Sequence, residues 1–144
     1  MSTLRVGTGM RVGNRMVVWL LKAGVRLGPN VVLTVRGRKS GLPRSVPVAI
    51  VELEGQRYLQ SPYGQVEWVR NLRAAGTGTI QRGRRKEVVQ ATELTPAEAA
   101  PVLKSVVRRV PGMLRRNYAV APEAPLEEFE RDAPNHPTFR LVPA

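Results

Sequence analysis

Short apolar stretches rich in β-branched residues recur along the middle of the chain and are separated by glycine and proline. Residues 31–35 (VVLTV) predict a strand, because β-branched side chains favour extended backbone. Residues 46–53 predict a second strand that is apolar on both faces and therefore central. Residues 54–55 (EG) then turn the chain into a third strand over 56–61, which predicts a tight hairpin.

Helical and extended patterns alternate through the second half of the chain. Residues 66–75 predict a short helix, and two strands follow over 77–81 and 86–94. Residues 125–132 predict a short acidic helix, and 138–142 have strand character. The turns between most neighbouring strands are short, which favours antiparallel pairing.

The start of one further helix is marked by its capping residues. Thr95 is a natural N-cap, Pro96 occupies the first helical position, and Glu98 completes a capping box. The helix is therefore predicted to begin here, to run to about residue 110 and to stop before Pro111.

An amphipathic helix is predicted near the N-terminus, over residues 10–27. Its cations fall on one narrow stripe, at Arg11, Arg15, Lys22 and Arg26. Such a helix either covers the core or lies on a membrane surface with its stripe toward phosphate head groups. The apolar run within it is far shorter than the ~20 residues that span a bilayer, and no cleavage site follows, so we expect a cytoplasmic protein.

The order of elements predicts one α+β domain over residues 1–144, built as a six-stranded, mainly antiparallel small barrel or half-barrel with peripheral helices. Residues 1–29 would form a helical extension and 30–94 the barrel core. Residues 95–144 would supply a helix, the acidic segment and the last strand.

Charge and composition narrow the chemistry. The net charge is +12, with 19 Arg and 4 Lys, so we expect an anionic partner. The absence of cysteine excludes disulfides and thiolate chemistry, and one histidine, His136, predicts no metal site; we expect it to be a surface or packing residue. Aromatic residues make up only 5%, which disfavours nucleic acid as the partner.

The polar turn over residues 37–44 (GRKSGLPR) holds three cations, a hydroxyl and two glycines between two apolar strands. Glycines let backbone N–H groups approach a ligand, and successive N–H groups form concave anion sites. Arginine and lysine add charged donors. The turn predicts either an anion site or a solvated basic loop.

Residues 33–48 (LTVRGRKSGLPRSVPV) resemble the signature T-x-G-R-K-S-G-x-P-R-x-x-P-L of the deazaflavin-dependent nitroreductase family. Residues 61–64 (SPYG) and 68–74 (WVRNLRA) resemble its next two motifs, S-x-G-G and W-Y-x-N-L-x-A, in the same order. The resemblance implies a split β-barrel that binds coenzyme F420 and transfers a hydride from C5 of its reduced ring to an electron-poor acceptor. That acceptor would be a quinone, a nitro compound or an activated alkene.

The resemblance also implies the site residues. The cofactor would be bound by Arg38, Lys39, Ser40, Arg44, Ser45, Val46, Pro47, Val48, Ser61, Pro62, Trp68, Val69, Arg70 and Asn71. The catalytic candidates are Ser61, Tyr63 and Tyr118. Three of these site residues have a plainer alternative: Ser61 as a strand-end hydroxyl, Tyr63 as a packing residue, and Trp68 as an anchor of the short helix.

The chain departs from the family pattern around these motifs. Pro62 and Tyr63 replace residues of S-x-G-G, and Val69 stands where the family often has tyrosine. Two other hypotheses therefore stay open: a barrel that binds FMN through the same basic turn, and a non-enzymatic basic module for anions or membranes. The partners expected of the enzyme are a small acceptor molecule and, in a homodimer, a second copy; a monomer is equally consistent with the sequence.

Overall fold

The computed structural model describes residues 30–109 and 118–144, which form a β-barrel flanked by helices. The strands are β1 (Asn30–Arg36), β2 (Pro43–Leu53), β3 (Gln56–Gln60), β4 (Thr77–Arg82), β5 (Arg85–Glu93) and β6 (Thr138–Pro143). The helices are α1 (Glu67–Ala75), α2 (Pro96–Arg109) and α3 (Leu126–Asp132), and a 3₁₀ turn, Ala133–Asn135, follows α3. Every element predicted within these residues is confirmed, with small shifts at its ends.

The six strands close into a barrel in the order β1-β2-β3-β6-β5-β4. Every neighbouring pair is antiparallel, and the pairing of β1 with β4 completes the circle. Closure leaves no unpaired sheet edge. The α+β barrel prediction is therefore confirmed in its closed form, and β2 has a strand on each side, as its apolar pattern predicted.

Strand alternation fills the barrel with the expected side chains. Leu33, Leu59, Val89 and Phe139 are fully or almost fully buried in one apolar cluster. Helix α1 adds Val69 and Leu72 to the same cluster, and both are fully buried. Helix α1 therefore closes one end of the barrel.

The contact between α1 and the barrel is close at Gly78 in β4. A Cβ added there would lie 3.1 Å from Leu33 Cδ1 and 3.5 Å from Leu72 Cδ1. Contacts of 3.1 Å between carbons are tighter than normal packing. Gly78 therefore leaves space for the side chains of Leu72 in α1 and Leu33 in β1.

The barrel has two different ends. The turn after β1 and helix α1 lie at one end, which we call the turn end. The two-residue turns at 54–55 and 83–84 lie at the opposite, hairpin end. Positive φ at Glu54 and Gly55 (51° and 77°) confirms the predicted tight hairpin.

The capping box of α2 is present as predicted. The backbone N–H of Thr95 donates to Glu98 Oε1 at 3.0 Å, and the N–H of Glu98 donates back to Thr95 Oγ1 at 3.3 Å. This helix and α3 pack together through Leu103, Val107 and Phe129 in a second apolar cluster.

The predicted helix over 10–27 and the segment 110–117 lie outside the described residues. Within 30–109 and 118–144, none of the helices has the length and apolar character needed to cross a bilayer.

Candidate functional site

The turn between β1 and β2 is a compact, hydrogen-bonded bend. Gly37 donates its N–H to the carbonyl of Leu42 at 2.8 Å, and Gly41 donates to the carbonyl of Gly37 at 2.9 Å. The N–H of Leu42 donates to Ser40 Oγ at 3.2 Å. Gly41 has φ of 72°, which favours glycine. The turn residues therefore have a defined arrangement.

Gly37 is required for steric reasons. A Cβ at this position would lie 2.8 Å from Ser40 Oγ and 3.2 Å from the Leu42 carbonyl oxygen. It would also lie 3.5 Å from Cγ of Arg44. The bend can close only because this space is empty, and that closure brings the cations of the turn together.

Arg38 is fastened to helix α1. Its Nη1 donates to Glu67 Oε2 and to Asn71 Oδ1, both at 2.8 Å, and its backbone N–H donates to Asn71 Oδ1 at 3.1 Å. The hydrogen bond from Arg38 holds the pKa of Glu67 below its ordinary value. Arg38 therefore joins the turn to the helix that closes the barrel end.

The other cations of this region point outward. Lys39, Arg44 and Arg70 are exposed and form no ion pair within residues 30–109 and 118–144. The hydroxyls of Thr34 and Ser45 share a hydrogen bond of 2.8 Å on the neighbouring surface. The turn end thus presents cations and hydroxyl groups to solvent, which is the donor set that a phosphate ester requires.

A cavity of about 260 Å³ lies against the outer wall of β2. Val46, Val48 and Ile50 belong to the barrel core or pack on it, so Pro47, Ala49 and Val51 alternate to the outside. The cavity is lined by Asn30, Pro47, Val48, Ala49, Val51, Gln60, Pro62, Tyr63, Trp68, Val106 and Tyr118. Most of this wall is apolar, and two amides and two phenols supply its polar groups.

Tyr118 is held in this wall by two contacts. Its hydroxyl donates to Gln60 Oε1 at 3.4 Å, and its ring stacks on His136 with centroids 4.5 Å apart. Burial raises the pKa of Tyr118 well above its usual value. The phenol therefore keeps its proton and acts as a hydrogen-bond donor.

His136 lies behind the tyrosine and is fully buried. Its Nδ1 is 3.1 Å from the carbonyl oxygen of Ser61, and its Nε2 is 3.4 Å from Asp132 Oδ2. Burial lowers the pKa of His136, against the opposing effects of Ser61 and Asp132. The expected packing role is correct, but the polar contacts connect the end of β3 with α3.

The predicted site residues fall into three groups. The exposed group at the turn end contains Lys39, Ser40, Arg44, Ser45 and Arg70. The cavity wall contains Pro47, Val48, Pro62, Tyr63, Trp68 and Tyr118. The interior contains Ser61, Val69 and Asn71, with Val46 half-buried and Arg38 mostly covered.

Two of these residues resolve alternatives left by the sequence. Ser61 is fully buried, and its hydroxyl donates to the carbonyl of Gly64 at 2.7 Å. Its side chain therefore stabilises the loop after β3 rather than lining the cavity. Trp68 packs on Phe139, with centroids 6.1 Å apart, which agrees with the anchoring role. It also lines the cavity, and its contact with a cofactor stays a prediction.

Gln60 and Glu67 were not predicted as site residues from the sequence. Gln60 is a buried polar residue at the last position of β3, directly before a motif residue. Glu67 lies four positions before Asn71, and this spacing places both on one helix face. The spacing of Glu67 and Asn71 was a usable sequence signal. Their common partner, Arg38, lies 29 and 33 residues away in the chain, and no sequence signal indicated these contacts.

The turn and the cavity are connected along one strand. Ser45, Pro47 and Ala49 follow each other on the outer face of β2, and four residues of extended strand span roughly 13 Å. The residues present therefore fit a ligand with an anionic end and a flat, largely apolar ring system: cations for the first, an apolar wall with phenol and amide groups for the second.

The sequence profile of the F420H(2)-dependent quinone reductase family matches residues 10–126 of this chain. An F420-H2 dependent reductase of known structure is 25% identical, covers 79% of this chain and 94% of its own, and superposes with a TM-score of 0.52.

Other solved structures share the fold. A domain-swapped dimer is 23% identical over 89% of this chain and 92% of its own, with a TM-score of 0.56. General Stress Protein 26 from Bacillus anthracis is 12% identical over 88% of each chain, with a TM-score of 0.52. No curated protein matches the chain.

Proposed function

The chain belongs to the F420H(2)-dependent quinone reductase family, and from that premise we propose that the basic turn and the tyrosine-lined cavity form its single active site. The turn would hold the anionic end of the cofactor. The cavity along β2 would hold the ring and the acceptor side by side.

The protein is an oxidoreductase that depends on coenzyme F420 and reduces quinone-like acceptors. Family membership thus favours the deazaflavin over FMN and an enzyme over a non-catalytic basic module. When bound, the reduced cofactor supplies the hydride. The protein supplies position, exclusion of water and the groups that hold a proton.

Binding of the anionic end is assigned to Lys39, Ser40 and Arg44. All three are exposed, and the two cations have no ion-pair partner in the described parts of the chain. Charged hydrogen bonds to a phosphate are stronger than neutral ones. Arg38 is assigned mainly to positioning, since Asn71 and Glu67 already engage its guanidinium.

Binding of the acceptor is assigned to the phenol side of the cavity. Tyr118 stays protonated because burial raises its pKa. Its hydroxyl makes a long hydrogen bond of 3.4 Å to Gln60 Oε1, and we assign it to turn from Gln60 and donate to a carbonyl oxygen when an acceptor is bound. Tyr63 lines the same cavity and is only half-buried. We therefore assign to Tyr63 the transfer of a proton from solvent to the reduced acceptor.

The observation that supports this function most directly is the continuity of the two surfaces. Exposed cations at the turn end lead along Ser45 and Pro47 into a cavity lined by Trp68 and two tyrosines. A ligand with a charged tail and an aromatic head needs both surfaces on one side of the protein.

The proposal is tested by removing the unpaired cations. We expect Lys39→Ala with Arg44→Ala to weaken binding of oxidised coenzyme F420 at least ten-fold, because each charged hydrogen bond contributes roughly 1.5–3 kcal/mol before screening by solvent. Fluorescence titration measures the affinity, and oxidation of the reduced cofactor by a soluble quinone measures the activity.

The matched control is Arg84→Ala with Arg85→Ala. It removes the same charge from the hairpin end, where both side chains are exposed. Its affinity for the cofactor should equal that of the wild type. Equal weakening by both double variants would show that net charge alone attracts the cofactor and would contradict the assigned site.

Assembly and location stay predictions. One similar structure is a domain-swapped dimer, so a homodimer remains a candidate state beside the monomer. Membrane contact was predicted for residues 10–27, which lie outside the described residues. The cytoplasmic location predicted from the sequence is retained as part of this proposal.

A further inference from the structure

The carboxylate of Glu67 lies beside Arg38 of the turn and interacts electrostatically with its neighbour Lys39. Its Oε2 is 2.8 Å from Arg38 Nη1. Lys39 and Arg70 are also near enough to lower the pKa of Glu67, after the larger effect of Arg38. One carboxylate of the chain itself, that of Glu67, therefore interacts with three cations at the end of the barrel that we assign to phosphate binding.

The two partners of Arg38 are unequal. Asn71 is buried, and its Oδ1 accepts hydrogen bonds from both the guanidinium and the backbone N–H of Arg38. The Glu67 side chain is 75% exposed, whereas that of Arg38 is 20% exposed. Exposed ion pairs are among the weakest interactions of this kind. The Asn71 contact is thus the fixed anchor, and the Glu67 contact is the one that can be exchanged.

We propose that Glu67 is a built-in counter-ion of the cofactor site: its carboxylate neutralises the turn when no ligand is bound and leaves when a phosphate-bearing ligand takes its place. This inference rests on the proposed function. It makes Glu67 a residue that sets affinity and favours highly charged ligands, since a weakly charged anion gains too little to displace it.

The exchange of Glu67 for a ligand costs little free energy, because the shape of the turn does not depend on Glu67. The bonds among Gly37, Ser40, Gly41 and Leu42 and the two bonds to Asn71 all remain when the carboxylate moves. The exposed glutamate regains full hydration. The Arg38 Nη1 group can then donate to the ligand instead, and the negative charge of Glu67 no longer opposes the ligand at Lys39 and Arg70.

The test replaces the carboxylate by its neutral isostere. We expect Glu67→Gln to bind oxidised coenzyme F420 and inorganic pyrophosphate three- to ten-fold more tightly than the wild type at low salt, because one like charge no longer competes. Fluorescence titration measures the cofactor, and calorimetry measures pyrophosphate, so the readout is independent of turnover. At about 1 M salt, where the Debye length is ~3 Å, the difference should disappear.

The control is Glu87→Gln, which removes the same charge from a different ion pair. Glu87 pairs with Arg57 at 2.7 Å near the hairpin end. Its affinities should equal those of the wild type, and equal tightening in both variants would overturn the inference.

The two hypotheses fail in different ways. Wild-type protein that binds neither probe would overturn the proposed function and this inference with it. Wild-type protein that binds, together with a Glu67→Gln variant that binds no more tightly, would overturn the counter-ion role alone.

Discussion

At the scale of single residues, the proposed acceptor site depends on a hydroxyl that does not easily ionise. Tyr118 donates to Gln60 and stacks on His136, and burial raises its pKa. The ring and the hydroxyl therefore make different contacts: the ring packs on His136, and the hydroxyl donates to Gln60 in the cavity wall.

The variant Tyr118→Phe separates these contacts. It keeps the stacked ring and removes the donor, so we expect KM for a soluble quinone to rise several-fold, since one hydrogen bond is worth about 0.5–1.5 kcal/mol. Affinity for oxidised coenzyme F420 should stay unchanged. Steady-state kinetics gives the first value and fluorescence titration the second.

Tyr58→Phe is the comparison variant, because Tyr58 is not among the residues that line the cavity. Its KM should match that of the wild type. An unchanged KM in Tyr118→Phe would remove Tyr118 from the acceptor site.

The sequence indicated which residues lie at the turn end and in the cavity wall better than it indicated their contacts. The basic turn is a local signal, and the tyrosines followed from the family resemblance. The binding of Arg38 to α1 joins positions 29 and 33 residues apart, and the buried polar contacts of His136 reach 75 residues back. Contacts of that separation depend on how the barrel closes, and no local pattern encodes them.

At the scale of elements, the turn between β1 and β2 works because it is tightly closed. Gly37 leaves room for the Ser40 hydroxyl and for the carbonyl of Leu42. A side chain at this position would displace the Ser40 hydroxyl, which accepts a hydrogen bond from the Leu42 N–H, and would press on the Leu42 carbonyl.

We therefore expect Gly37→Ala to weaken cofactor binding about ten-fold and to lower the free energy of unfolding by about 1–3 kcal/mol, the usual cost of overpacking. Fluorescence titration and denaturant unfolding measure the two effects. Gly55→Ala is the matched control: its φ is 77° and nothing lies within 4 Å of the added Cβ. It should lose stability through backbone strain but keep cofactor affinity. Full affinity in Gly37→Ala would show that the shape of the bend is irrelevant to binding.

Local signals made most elements predictable. The capping box of α2, the two-residue hairpin and the β-branched strands each depend on neighbours within a few positions. The closure of the barrel was not decided by such signals, because the pairing of β1 with β4 and the placement of β6 between β3 and β5 join distant segments.

At the scale of the whole molecule, His136 joins the barrel to the helical segment. It contacts Ser61 at the end of β3, Asp132 at the end of α3 and the ring of Tyr118. Because burial lowers its pKa, the folded protein resists protonation that the unfolded chain accepts.

Stability should therefore fall as the pH drops below about 6.5, the unfolded value for histidine, and should continue to fall until the pH passes the lower pKa of the folded state. The slope from this one group is at most about 1.4 kcal/mol per pH unit. Denaturant unfolding between pH 8 and 5 measures it.

The variant His136→Phe keeps an aromatic ring against Tyr118 and removes the titrating group. The free energy of unfolding of this variant should depend less steeply on pH between 8 and 5, even if the free energy itself is lower. Glu67, Glu87 and Glu98 have lowered pKa values, so they lose their stabilising effect only at more acidic pH, from about 4.5 downward. An unchanged slope near pH 6 in His136→Phe would contradict this account.

The two halves of the proposed active site are encoded very differently, and this would affect how the enzyme can evolve. The cationic bend is one contiguous stretch of eight residues, whereas the acceptor wall draws on β1, β2, β3, α1, α2 and Tyr118. Substitutions in the cavity wall can accumulate one at a time and alter the range of accepted molecules. The residues proposed to bind the deazaflavin tail are contiguous in the chain and are therefore inherited together. A lineage built on this barrel can thus diversify its substrates without ever exchanging its electron carrier.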